Sequence, residues 1–358
     1  MGRAGTASGG GEPPRPGTKG RPVSLRHKTM ARTSVVAAAA VLVLAACGNG
    51  EDSTDGSTQA AGTEDGAAGG SADGALSGDI AIDGSSTVTP LTEPAAELFM
   101  QENPDVRVAV GTSGTGGGFE KFCNGETDVS MASRPIKDEE VAACEEAGIT
   151  YEELGVANDG LAVVVNPEND WATCLSVDEL NAAWRDGSEA TDWSGINPEF
   201  PAEALELYGP GTDSGTFDYF TEAVNGEEGN IRQDYNDIGE DDNAAITGVA
   251  GGTGAMAFIP LTFALEAGDS VKILEIENEA GECVAPSTET VQAGDYTPLA
   301  RELFIYPKGE SVANKPEVKA FAEFYVNNSE EIAEAAGFIP LTEEQKQAAL
   351  DQIATLGG

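Results

Sequence analysis

Histidine is all but missing from this chain: His27 is the only one, and it lies in a basic N-terminal stretch with the marks of a targeting region. The part that follows cannot assemble a Ser-His-Asp triad, a Cys-His pair or a His-ligated metal centre. Carboxylate-only chemistry stays open, but no catalytic residue, metal or cofactor is expected. Basic residues are scarce too. Seven of the 19 Lys and Arg lie in residues 1–32, and Glu12 is the only acid before Cys47. From Gly48 on, 61 acids therefore face 12 bases, a net −49 against −43 for the whole chain. Such a surface argues against nucleic acid and against peripheral binding to anionic lipid. It says nothing against a buried anion site, which local donors decide. Nucleotide loops are absent as well: no Gly-x-x-x-x-Gly-Lys-Ser/Thr occurs, and none of the glycine-rich junctions satisfies Gly-x-Gly-x-x-Gly.

The N-terminus reads as export machinery. Residues 1–46 form a signal or targeting segment, with Met30 as an alternative start. Its apolar run, Ser34–Ala46, has 13 residues, too short to span a bilayer and suited to a signal peptide. The run ends Leu44-Ala45-Ala46-Cys47, which resembles the bacterial lipobox, so Cys47 is expected to become a lipidated N-terminus. Residues 47–78 are Gly, Ala, Ser, Thr, Asp and Glu with almost nothing apolar. They are expected to form a disordered tether reaching about 30 Å. The picture is an exported body anchored by lipid to the outer face of the cytoplasmic membrane.

Three hydroxyl-rich junctions stand out beyond it: Asp83-Gly-Ser-Ser-Thr-Val-Thr-Pro90, Ala109-Val-Gly-Thr-Ser-Gly-Thr-Gly-Gly-Gly118 and Gly209-Pro-Gly-Thr-Asp-Ser-Gly-Thr216. Each follows a short apolar run and precedes a helical pattern. Glycine lets backbone N–H groups approach a ligand, and helix N-termini add partial positive charge. Three such loops together suggest several helix N-termini aimed at one small oxyanion.

Strands alternate with helices from Gly78 on, arguing for a doubly wound α/β sheet in each of two units. Strands are expected at 79–82, 106–110, 128–132, 161–165, 205–208, 255–259, 271–276 and 303–306. Thr89 is expected to cap a helix with Pro90 in first position, and Phe119 to start another. Ser176-Val-Asp-Glu179 and Thr342-Glu-Glu-Gln345 read as capping boxes. The runs near 161–165 and 303–306 would be the two crossings. That gives lobe I as 79–162 plus 303–358 and lobe II as 163–302, with ligand in the cleft. A short echo, Phe258-Ile-Pro-Leu-Thr262 and Phe338-Ile-Pro-Leu-Thr342, reads either as one strand-to-helix junction used twice or as coincidence.

With Cys47 set aside for lipid, Cys123, Cys144, Cys174 and Cys283 form an even set in an exported chain, which favours two disulfides. Three pairings are possible. Cys123–Cys144 and Cys174–Cys283 are preferred, because a bridge between lobes would hinder closure.

The segments Gly84-Ser-Ser-Thr-Val88, Ser113-Gly-Thr-Gly-Gly-Gly-Phe119, Ala132-Ser-Arg-Pro-Ile136 and Gly209-Pro-Gly-Thr-Asp-Ser-Gly-Thr-Phe217 resemble the PstS family, the phosphate-binding receptors of the bacterial Pst ABC importer. The similarity runs in order over about residues 79 to 350. It implies a type II periplasmic-binding fold: two α/β lobes, two crossover segments and a dehydrated phosphate closed between them. Carried over position by position, it implies phosphate donors at Ser85, Ser86 and Thr87, at Ser113, Gly114 and Thr115, and at Ser214, Gly215 and Thr216. Members of the best-known branch carry Asp where this chain has Arg134, and Arg where it has Pro210. The resemblance thus puts the cation at Arg134. It leaves the discriminating carboxylate to Asp213 first and Asp242 second. Inorganic phosphate, the importer's permease subunits and the membrane, through the anchor, are the implied partners of a monomer. The alternatives are a receptor for another tetrahedral oxyanion or a secreted phosphatase-like enzyme.

Overall fold

The computed structural model describes residues 75–356. The expected signal segment, Cys47 and most of the tether lie outside them. The chain opens with β1 (Gly78–Gly84), α1 (Thr89–Glu102), β2 (Val106–Thr112), α2 (Gly114–Cys123), β3 (Val129–Ala132) and α3 (Asp138–Ala147). It continues through β4 (Leu154–Val165), β5 (Cys174–Leu175), α4 (Val177–Trp184), β6 (Glu206–Gly209), α5 (Gly215–Asn225), β7 (Asn236–Asp237) and α6 (Asp242–Gly251). Next come β8 (Ala255–Pro260), α7 (Leu261–Ala267), β9 (Lys272–Ile273), β10 (Glu275–Glu277), β11 (Cys283–Val284) and α8 (Thr288–Gln292). β12 (Ala300–Pro307) is followed by α9 (Gly309–Asn314), α10 (Pro316–Asn327), α11 (Ser329–Ala335) and α12 (Glu343–Thr355).

Nine strands make one curled sheet in the order β2-β1-β3-β12-β4-β8-β6-β7, with β9 on β4. β1 pairs in parallel with β2 and β3, and β6 in parallel with β7 and β8. Between these parallel ends lie the two antiparallel crossing strands. β4 is buried along its whole length, because both faces of its Leu-Gly-Val-Ala…Leu-Ala-Val-Val-Val run are covered. It pairs with β12 from Leu154 to Gly160, then changes partner and pairs with β8 from Leu161 to Val165. Two large cores form on either side of that switch, and a smaller cluster of Phe119, Phe122, Phe304 and Tyr306 lies around Cys123 and Cys144. One gathers Ile80, Ile82, Met131, Leu154, Leu303 and Phe321. The other gathers Leu161–Val165, Trp184, Phe220 and Phe258, where Phe220 stacks on Phe258 at 3.8 Å and Trp184 meets Phe258 edge-on at 4.9 Å. A three-stranded sheet, β11-β10-β5, completes the second half.

Locally determined starts are where the sequence puts them. Ser176 and Glu179 close a capping box on α4, and Thr342 and Gln345 another on α12. Four expectations change. Thr89 is not the cap of α1, which follows Val88; its hydroxyl instead donates to Ser85 O at 3.0 Å. The glycine run is not a loop ahead of Phe119 but the first turns of α2. A β-carbon at Gly118 would stand 2.5 Å from Gly84 Cα, so the helix lies on β1 at a distance only glycines allow. The expected strand at 271–276 breaks at Leu274, whose N–H reaches Val163 O, leaving β9 on the large sheet and β10 on the small one. The two Phe-Ile-Pro-Leu-Thr copies also differ. The first ends β8 and starts α7, while the second makes one bridge, Ile339 to Asn158, before Thr342 caps α12.

Both disulfides join the preferred partners. Cys123–Cys144 ties α2 to α3 across 21 residues, and Cys174–Cys283 ties β5 to β11 across 109. Neither links the two cores.

Candidate functional site

The carboxyl ends of β1, β2 and β3 deliver three loops to one cleft of about 630 Å³. Its walls include Ser85, Ser86, Thr87, Ser113–Gly116, Ser133 and Arg134. Gly84, at φ +148°, makes the first turn possible, since a β-carbon there would lie 2.1 Å from Met131 O. That turn spends the Ser85 N–H on Met131 O at 3.0 Å. The N–H groups of Ser86 and Thr87 have no partner among the described residues. Gly114, Thr115 and Gly116 open α2, where first-turn N–H groups lack intrahelical acceptors. Hydroxyls are positioned by their neighbours. Ser113 Oγ donates to Asp83 Oδ1 at 2.5 Å, and Thr115 Oγ1 lies 3.0 Å from Ser133 Oγ. Asp83 also takes Lys121 Nζ at 2.6 Å. Burial pushes the Asp83 carboxyl up, but Lys121 and Ser113 outweigh it and hold it below its ordinary range.

Arg134 reaches this cleft already engaged. Its Nη1 and Nη2 make a two-pronged pair with Glu140 at 2.9 Å each, and Nη1 also donates to Pro135 O at 3.1 Å. Glu140 raises the guanidinium's pKa further. Two of its five N–H groups, on Nε and Nη2, remain without a protein acceptor among the described residues.

The loop after β6 comes from the other side. Ser214 caps α5 by accepting from Thr216 N at 3.3 Å. Ser214, Gly215 and Thr216 line an adjoining cavity of about 250 Å³, which shares Ser86 and Thr87 with the cleft. Thr87 is thus the meeting point: a β-carbon on Gly215 would stand 2.5 Å from Thr87 Oγ1. The smaller cavity also holds Asp242, whose carboxyl burial, with Glu240 and Asp241 beside it, pushes up to about 6. Asp213 is exposed and lines neither space, because the turn before α5 points away from both. The carboxylates of α5 that do face the cleft are Asp218 and Glu222, with Glu227 and Glu228 just past the helix. Burial raises Asp218 and Glu228 above their ordinary range.

Sequence reasoning missed Arg301 and Asp159. They face each other on the crossing strands, with Arg301 Nε 3.1 Å from Asp159 Oδ2, and Arg301 lines the cleft. Its Nη2 donates to Thr87 Oγ1 at 3.2 Å and to Gly215 O at 3.4 Å, and its guanidinium stacks 3.7 Å over the Tyr219 ring. Burial raises Asp159 despite that arginine. The available signal was a single base on a crossing strand in a chain with so few bases.

Comparison with known proteins bears on the fold and the family. A family model described as a PBP superfamily domain matches residues 53–329. Protein SphX of Synechococcus elongatus is 43% identical over 271 residues, covering 75% of this chain and 80% of the relative. The phosphate-binding protein PstS of Staphylococcus saprophyticus is 34% identical over 317 residues, covering 88% of this chain and 92% of the relative. Among solved structures, a possible phosphate binding protein from Planctomyces limnophilus superposes with a TM-score of 0.75 at 40% identity, covering 78% of this chain and 98% of that one. The fold is the type II periplasmic-binding fold, two α/β lobes around a cleft, and the chain belongs to the PstS family of phosphate-binding proteins within the PBP superfamily.

Proposed function

We propose that this protein is an extracytoplasmic receptor that closes on inorganic phosphate and delivers it to the permease of an ABC importer. The observation that carries the reading is one cleft lined by two hydroxyl-rich loops and Arg134, with the third such loop, at Ser214–Thr216, meeting it at Thr87; each loop lies at a helix N-terminus. Ser85, Ser86, Thr87, Ser113, Gly114 and Thr115 supply hydroxyls and free N–H groups from one side. Ser214, Gly215 and Thr216 supply them from the other. Arg134, held by Glu140, offers its remaining N–H groups in the fork geometry that suits phosphate oxygens. A carboxylate at the site accepts the proton that phosphate carries and sulfate lacks. Asp218 and Asp242, which face the two spaces, fit that role better than exposed Asp213. The receptor acts as a monomer, held to the outer face of the membrane by acyl chains on Cys47 and standing off on its acidic tether.

The test is calorimetric titration of phosphate into the mature chain, stripped of ligand by unfolding and refolding, with excess sulfate present. We expect a Kd of about 1 μM or tighter, about −8 kcal/mol, unaffected by sulfate. Heat abolished by sulfate would retain the oxyanion site and remove the proton acceptor from it. No heat with either anion would overturn the reading.

A further inference from the structure

Among the described residues, Arg301 is the base that bridges the two crossing strands, the first loop and α5. It sits on β12, one of the two crossing strands, and its side chain is 13% exposed. Four groups fix it: Asp159 on the other crossing strand, the Thr87 hydroxyl of the first loop, the Gly215 carbonyl at the start of α5, and the face of Tyr219. Tyr219 is itself tied down through its hydroxyl, which donates to Pro298 O at 2.6 Å. These contacts use Nε and Nη2. Both N–H groups of Nη1 have no acceptor among the described residues, on a guanidinium that lines the cleft. A largely buried arginine with two of its five N–H groups unused, both on one nitrogen, has charge and donors to spare for an anion's oxygen.

We propose that Arg301 is a ligand-binding residue of this receptor, contacting the bound oxyanion through Nη1 while Nη2 holds Thr87 and Gly215 in register around it. The assignment rests on the phosphate reading. It makes the receptor's cation set double, with Arg134 on the loop wall and Arg301 on the crossing strand. It also gives buried Asp159 a role: its single bond to Nε fixes the Arg301 guanidinium, where Glu140 grips both terminal nitrogens of Arg134. What stays open differs between them: one N–H each on Nε and Nη2 of Arg134, and both on Nη1 of Arg301.

The experiment measures phosphate affinity of the full mature chain at about pH 8, where phosphate is mostly dianion, and about pH 5.5, where it is mostly monoanion. Wild type is compared with Arg301→Met, Arg301→Lys and the double variant Asp159→Asn/Arg301→Met, which leaves no unpaired buried carboxylate if the single change fails to fold. Loss of a charged contact should weaken binding by about 10- to 150-fold. The loss should be several-fold larger against the dianion than the monoanion, and Arg301→Lys should recover part of it. Asp218, Glu222, Glu227, Glu228, Arg134 and Lys137 also face the cleft. They are common to all the variants, but Arg301 lowers the pKa of Asp218 and Glu228, so Asp218→Asn/Glu228→Gln is used as a common background in which the ratio at each pH reports Arg301. A loss equal at both pH values, with no recovery by lysine, would make Arg301 a latch between lobes and overturn the assignment. So would affinity within about threefold of wild type in the folded variants, far short of a lost charged contact. Absence of phosphate binding by wild type would sink the function itself, a separate outcome.

Discussion

On one side of the cleft, Ser85, Ser86, Thr87, Ser113, Thr115 and Arg134 present hydroxyls, backbone N–H groups and a guanidinium. On the other, α5 presents Asp218 and Glu222 along its flank, with Glu227 and Glu228 beyond its end. Both walls are helix-bearing junctions of the same design, yet only one is a donor surface throughout. The second wall donates only at its tip, where Ser214–Thr216 begin α5, and repels anions everywhere else. On the proposed reading, a small oxyanion sits near the contact of Thr87 with Gly215. A larger polyanion reaching along α5 meets a row of carboxylates. The acidic flank thus limits size as well as position.

Forcing the walls apart should have the largest effect. In Gly215→Val the new side chain would collide with Thr87, whose Cα as well as Oγ1 lies within 3.0 Å of the first added carbon. Because donors displaced by about 1 Å lose most of their effect, phosphate affinity should fall by about 100-fold or more, with an unchanged far-ultraviolet circular dichroism spectrum. Near-normal titration would show that the two walls need not meet. A smaller change should follow from neutralising the acidic flank. Glu222→Gln should tighten phosphate binding by about two- to fivefold at low salt, an effect that fades as salt screens the flank. Weaker binding would mean that Glu222 accepts a ligand proton instead of repelling the ligand.

The smallest effect concerns stability. Asp242 titrates near 6 when folded and near 3.8 when unfolded, chiefly because burial penalises its charged form. At neutral pH that penalty is carried in full. As pH falls through about 6, the folded state takes up the proton first, so stability rises until the unfolded pKa is reached. Asp159, Asp218, Glu228, Glu240 and Glu302 are shifted the same way. Asp83, Asp128 and Glu140 are shifted down by their cationic partners, so their contribution is lost below the usual carboxylate range. Melting temperature should therefore rise between about pH 7 and pH 5 and fall at lower pH. In Asp242→Asn the rise should be shallower and the pH 7 value higher. An unchanged slope would show that Asp242 does not carry the effect.

What the sequence revealed depended on range. Ser176 with Glu179 and Thr342 with Gln345 each settle a helix start within four residues, so their boxes were readable. The loops were readable because Ser, Thr and Gly recur at each junction. Arg301 was not, since its role comes from a strand register that sets it opposite Asp159, 142 residues away. The glycines of α2 misled for the opposite reason. Their local preference is for a loop, and close packing on Gly84 overrides it. Asp213 drew attention by proximity to Ser214, but the direction of the turn, invisible in one dimension, sends it outward while Asp218 faces in.

The place of β12 in the sheet bears on how the chain is made. It lies between β3 and β4, antiparallel to both, yet it emerges more than 130 residues after β4 begins. Until it arrives, β3 and β4 each face an open lane with unpaired backbone groups and nothing to close them, the kind of edge that invites other chains. The segment from β5 to β11, with Cys174 and Cys283 at its two ends, is complete before that gap can be filled. That segment can therefore close its disulfide while the first half waits, half-zipped, for one late strand. That strand brings Arg301 with it, so the cleft receives this cation in the same event that joins β3 to β4.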